Sequence, residues 1–145
     1  MTAREYLSRP FLLQQEIDRK AQRITFLRRQ STRLSAALKQ DRVQSTPDPA
    51  RMQAFLAEAA DEEREILRLE EERKQALVDS ALVISLLPGQ TQVAVMELRY
   101  LERRDWDEIA RQLSLCESSV YRQHRSALIF LDALPEIRDA GNEAE

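Results

Sequence analysis

The stretch WDEIARQLSLCESSVYRQHR, residues Trp106 to Arg125, sets its apolar residues, one small residue and one break where two helices joined by a tight turn need them. Trp106, Ile109, Ala110 and Leu113 recur at three- and four-residue spacing, which puts them on one helical face. Ala110 is small enough for a second helix to approach closely, Leu115 sits in the turn, and Val120 points inward from the second helix. Ser114 stands where glycine usually makes the turn, and Gln123 holds a late inward position at which an aliphatic residue is the norm. Asp105 with Glu108 reads as a capping box for the first helix, and Cys116 holds the N-cap position of the second, where Ser or Thr is usual. The pattern is a helix-turn-helix.

In this register the second helix turns Glu117, Ser118, Tyr121, Arg122 and Arg125 outward on one face. Such a face reads double-stranded DNA. Arg122 suits guanine edges or a phosphate, Arg125 suits a phosphate, and the hydroxyls of Ser118 and Tyr121 suit bases or backbone. Glu117 either accepts from cytosine or only favours the helix N-terminus electrostatically. Arg99, Arg103, Arg104 and Arg111 supply a basic edge beside Arg122 and Arg125, although residues 89–132 carry six arginines against seven acids.

Three blocks extend the pattern: Leu98-Arg99-Tyr100, Glu108-Ile109-Ala110, and Val120-Tyr121-Arg122-Gln123 with Ala127-Leu128. Together they resemble the C-terminal promoter-reading domain, region 4, of bacterial sigma factors. The resemblance implies that Glu117, Ser118 and Arg122 stand at the family's promoter-contacting positions. The Tyr121-Arg122 pair departs from the family's usual Arg-Gln, so the base preference differs. The chain has no room for the sigma domains that melt promoter DNA or grip the polymerase core. Its opening, Thr2-Ala3, Glu5-Tyr6-Leu7-Ser8, Leu13 and Ile17, together with the long charged helices, resembles short phage and prophage regulators of the ArpU/RinA type. That resemblance implies activation of late or packaging genes and engagement of host RNA polymerase.

The rest of the chain reads as helix. Two glycines in 145 residues, with Leu, Ala, Arg, Glu and Gln dominant, leave little turn chemistry for a sheet. Thr2 with Glu5 forms a capping box, and Tyr6, Leu13, Ile17, Ile24, Leu27, Leu34 and Leu38 follow alternating three- and four-residue spacing. Pro10 favours a short N-terminal turn with the main helix starting near Ser8. Residues 41–49 break the pattern, with Asp48 as N-cap and Pro49 at the first helical position of a second helix. Met52, Phe55, Leu56, Ala59, Ile66, Leu69, Leu77, Val83 and Ile84 carry that helix to Leu87, where Pro88-Gly89 stops it. Residues 1–42 hold ten basic side chains against four acidic ones, and residues 43–88 five against ten, so the helices are electrostatically complementary. The expected fold is all-α: an antiparallel, coiled-coil-like hairpin for oligomerisation over 1–88, a three-helix sigma-like helix-turn-helix domain over 89–134, and a disordered acidic tail over 135–145. Two helices bury only a narrow seam, so a second copy is expected to complete a four-helix bundle as a homodimer. Arg28, Arg29 and Arg33 serve helix pairing or, in a sharper reading, contact phosphate.

Single residues add little chemistry. Cys116 substitutes for a capping Ser or, near a helix N-terminus, carries an activated thiol. His124 is the one histidine and reads as a helix-surface or phosphate-side group, and Trp106 as core packing rather than base stacking. No metal, nucleotide or nucleophile motif is present, so no cofactor, no metal and no catalysis are expected. No apolar run is long enough to span a membrane, and the expected location is cytoplasmic and nucleoid-associated. Two other functions use the same features: a phage DNA-packaging protein like a small terminase subunit, or a polymerase-binding module that does not touch DNA.

Overall fold

A computed structural model describes residues 1–39 and 49–142, with side chains to residue 37 in the first segment. No strand occurs among the described residues. Helices α1 (Ala3–Lys39) and α2 (Pro49–Ile84) precede α3 (Gln90–Met96), which continues through a π-helical turn, Glu97–Leu101. Helices α4 (Trp106–Leu113), α5 (Glu117–Asp132) and α6 (Pro135–Arg138) follow, and a 3₁₀ turn, Asp139–Gly141, closes the described chain. The fold is all-α, with α1 and α2 packed on each other as a helical hairpin. The expected N-cap Asp48 and the seam residue Leu38 lie outside the described residues and side chains. Among the described residues no helix is long and apolar enough to cross a membrane.

The chain divides into two compact units, one of residues 1–11 with 73–145 and one of residues 12–72. In the second, Ile24, Leu27 and Ala59 form a buried seam with Phe55 and Ile66 beside it. Ser31 continues the seam, whereas Leu56 is 43% exposed. The charge split between the helices becomes specific pairs: Lys20 with Glu62 at 3.0 Å, Arg23 with Glu58 and Glu62, and Arg28 with Glu63. The pairs of Arg23 and Arg28 are largely exposed and that of Lys20 is half-buried, so together they fix the match of the helices more than their stability.

In the first unit α1 starts on the expected capping box: the Thr2 amide donates to Glu5 Oε2 at 2.9 Å, and the Glu5 amide to Thr2 Oγ1 at 3.2 Å. The adjoining Ala3 amide donates to Asp132 Oδ1 on α5 at 2.6 Å. Pro10 does not delay the helix, which runs unbroken from Ala3. Proline removes the donor for the Tyr6 carbonyl, but Arg9 Nε supplies one to that oxygen at 3.3 Å. Arg9 also stacks 4.2 Å from the Tyr6 ring centroid and lies 3.8 Å from Asp79.

Ala3, Tyr6 and Leu7 of α1, Val83 and Ile84 at the end of α2, and Leu87 just beyond it share one core with Met96, Ala127, Leu131 and Ile137. Helix α2 ends at Ile84, before the expected Leu87, because the amides of Leu86 and Leu87 bond back only three residues. Residues 135–142 also depart from expectation. They are helical, with Pro135 opening α6 and Ile137 fully buried. Burying an isoleucine contributes about 1.5–3 kcal/mol, which outweighs the segment's acidic composition.

Candidate nucleic-acid interface

A second core cluster fixes the helix-turn-helix. Val95 and Leu98 pack with Ile109, Ala110 and Val120, while Trp106, Leu113 and Leu115 lie partly buried around them. The six apolar positions expected from residues 106–125 therefore face one core. The turn is made as the sequence implies but without glycine: Ser114 adopts the left-handed conformation, φ 54° and ψ 42°. The amides of Ser114 and Leu115 donate to the carbonyls of Arg111 (3.3 Å) and Ala110 (2.9 Å), closing the end of α4.

The expected caps hold their positions but not their bonds. Asp105 and Cys116 have the extended backbone of N-cap residues, and neither side chain bonds the helix backbone. Glu108 faces Arg104 at 3.7 Å instead of reaching back to the Asp105 amide. The Cys116 sulfur lies 3.2 Å from the hydroxyls of both Ser118 and Ser119. Those hydroxyls first, then the Ser119 amide, pull the thiol down to about 7.

Glu117, Ser118, Tyr121, Arg122 and Arg125 are all exposed on one face of α5. Two of them are held in place. Arg122 Nη2 donates to Ser119 Oγ at 3.3 Å, and the Tyr121 ring lies 5.1 Å from that of Trp106. Glu117 faces the Asp107 carboxyl, which raises its pKa. The second acid at this end of α5 discourages phosphate and leaves base contact or helix-end electrostatics as the roles of Glu117.

The expected basic edge is not one surface. Arg111 lines a shallow groove with Cys116 and Glu117, and Arg104 is engaged with Glu108. Arg99 and Arg103 instead border a cleft that includes Tyr121. Arg99 lies 4.4 Å over the Trp106 ring and donates from Nη1 to the Arg104 carbonyl at 3.1 Å. Arg103, itself left-handed at φ 60°, lies 3.3 Å over the ring centroid of Phe11. Arg28, read as a pairing or phosphate residue, is paired with Glu63 in the second unit, and Arg29 and Arg33 are exposed.

His124 is not on the surface. It is 7% exposed, with Nε2 2.7 Å from the Tyr100 hydroxyl and its ring against Trp106 at 4.7 Å. Burial first, then the charges of Arg4 and Arg99, push its pKa down to about 4, so the imidazole is neutral near pH 7. His124, not Gln123, completes the inward row with Val120, Ala127 and Leu131. Sequence reading also missed Arg4 and Phe11, which reach this region from α1. Their approach depends on the α1–α5 contact of Ala3 with Asp132, for which the sequence carries no local signal.

Among the described residues no group of acidic, histidine or cysteine side chains could hold a metal ion. No family model, curated protein or solved structure matches the chain.

Proposed function

We propose that the chain is a DNA-binding transcription regulator that reads double-stranded DNA with α5. The observation that carries the reading is the exposed row Glu117, Ser118, Tyr121, Arg122 and Arg125 on the second helix of a packed helix-turn-helix. A helix presented this way fits the major groove, where arginine can read guanine and hydroxyls can contact bases or backbone. The likeness of residues 98–128 to sigma region 4, and of the opening residues to ArpU/RinA-type phage regulators, supports a promoter as target and host RNA polymerase as second partner. On this reading the protein is an activator, works in the bacterial cytoplasm on the nucleoid, and carries out no catalysis.

Footprinting across candidate promoter regions at stated salt tests it. The expected result is a discrete footprint that the Arg122→Ala/Arg125→Ala variant loses. Each lost base contact costs about 1–3 kcal/mol, and each lost phosphate contact lowers the salt slope by about 1. A footprint unaffected by the variant, or none, overturns the assignment to α5. Polymerase binding without a footprint is the second reading, favoured by Ile129 and Phe130, which are 63% and 38% exposed on the same helix.

A further inference from the structure

The first unit contains a cleft of about 460 Å³ that reading DNA with α5 does not explain. Its walls bring Arg4 and Phe11 from α1 together with Arg99 and Arg103 from the turns before α4, Trp106 from α4 and Tyr121 from α5. None of these three arginines has a carboxylate within 4 Å among the described residues. Arg4 lies near enough to Tyr100 for its charge to act on that hydroxyl, and Arg99 and Arg103 lie over aromatic rings. Stacking occupies the face of a guanidinium and leaves N–H groups on its edge to clamp an oxyanion; Arg99 spends Nη1 on the Arg104 carbonyl and retains its other N–H groups. Burial first, then the like charge of Arg99, lowers the Arg103 pKa. Three cations with no acid between them raise the local positive potential, which favours an anion there.

We propose that this cleft binds a nucleoside monophosphate, with the phosphate on the edges of Arg4, Arg99 and Arg103 and the base along the Tyr121–Trp106 wall. The volume lies in the range of small-ligand sites, roughly 300–1,000 Å³, and Tyr121 is 47% exposed, so its ring has a free side for stacking. The cleft shares Tyr121 with the proposed DNA-reading row but not Arg122 or Arg125, so variants can test the two apart.

Trp106 is the chain's one tryptophan and lines the cleft, so its fluorescence reports occupancy directly. Adenosine 5′-monophosphate, inorganic phosphate, adenosine and a duplex oligonucleotide are titrated separately, with calorimetry as a second measurement. The expected result is saturable binding of the monophosphate, at least about tenfold tighter than inorganic phosphate, with adenosine silent. Arg99→Gln/Arg103→Gln weakens it by more than about tenfold while the circular dichroism spectrum is unchanged, and Arg122→Ala/Arg125→Ala binds as the parent does. Three results overturn the proposal: no saturable monophosphate binding up to about 10 mM, equal binding of adenosine, or full binding by the Arg99/Arg103 variant. A response to the duplex alone overturns it too, and makes the cleft a cradle for the DNA backbone.

Discussion

At the scale of single residues, His124 and Ser114 trade stability for position in opposite ways. His124 is neutral in the folded protein, but in an unfolded chain it takes up a proton below about pH 6.5. As pH falls from 6.5 toward 4 the unfolded state therefore binds the extra proton, and folding stability drops by up to about 3 kcal/mol, levelling off below 4. We expect urea unfolding of the parent to lose about 2–3 kcal/mol more than His124→Leu between pH 7 and pH 4.5, since the variant removes this proton but leaves every carboxylate. Equal losses in both proteins would contradict it. Ser114 carries the opposite burden: its left-handed backbone costs a residue with a Cβ about 1 kcal/mol. Ser114→Gly is expected to raise unfolding free energy by about 0.5–1 kcal/mol with the helix-turn-helix intact; an unchanged or lower value would mean the serine side chain compensates.

At the scale of elements, the sequence was most readable where partners are close along the chain. The α4–α5 register followed from five apolar spacings, and the Thr2/Glu5 capping box and Pro49 at the start of α2 follow from local chemistry alone. Local rules failed wherever a side chain outside the pattern decided, whether near or far along the chain. Pro10 sits inside α1 because Arg9 supplies the Tyr6 carbonyl with a donor, and His124 faces inward because Tyr100, 24 residues away, meets its Nε2. The Asp105/Glu108 cap fails because Arg104 attracts Glu108. The last segment shows the same thing: four acids among eleven residues suggest a solvated tail, yet Ile137 finds a pocket made by α1, α2 and α5. Ile137→Ala should lower unfolding free energy by about 2–4 kcal/mol, close to the effect of other buried isoleucine truncations. A change below about 0.5 kcal/mol, as for a surface site, would return these residues to the solvated tail that composition suggests.

At the scale of the whole molecule, the outstanding feature is apolar surface left uncovered among the described residues. Val78, Leu82 and Leu86 recur every four residues along the end of α2 and its following turn and are 53%, 62% and 49% exposed. Leu12, Phe26 and Leu67 of the second unit are exposed as well. A second copy of the chain is the occupant we propose, as the seam of a two-helix hairpin alone leaves such stripes in water. Magnitudes limit how tight this can be. Covering three half-exposed aliphatic side chains on each of two copies contributes about 6 kcal/mol, against an association cost of about 4–15 kcal/mol. The Val78–Leu86 stripe alone therefore falls short of the roughly 8 kcal/mol that a micromolar dimer needs, so a stable dimer must draw on the second unit too. Light scattering across a dilution series is expected to show twice the 16.9 kDa chain mass falling toward one chain mass at micromolar concentration. Leu82→Glu/Leu86→Glu should be monomeric throughout while keeping its helical circular dichroism. A variant that still dimerises would move the contact to the second unit, and a parent that forms larger closed rings would favour the DNA-packaging function over regulation, because paired promoter half-sites call for two copies.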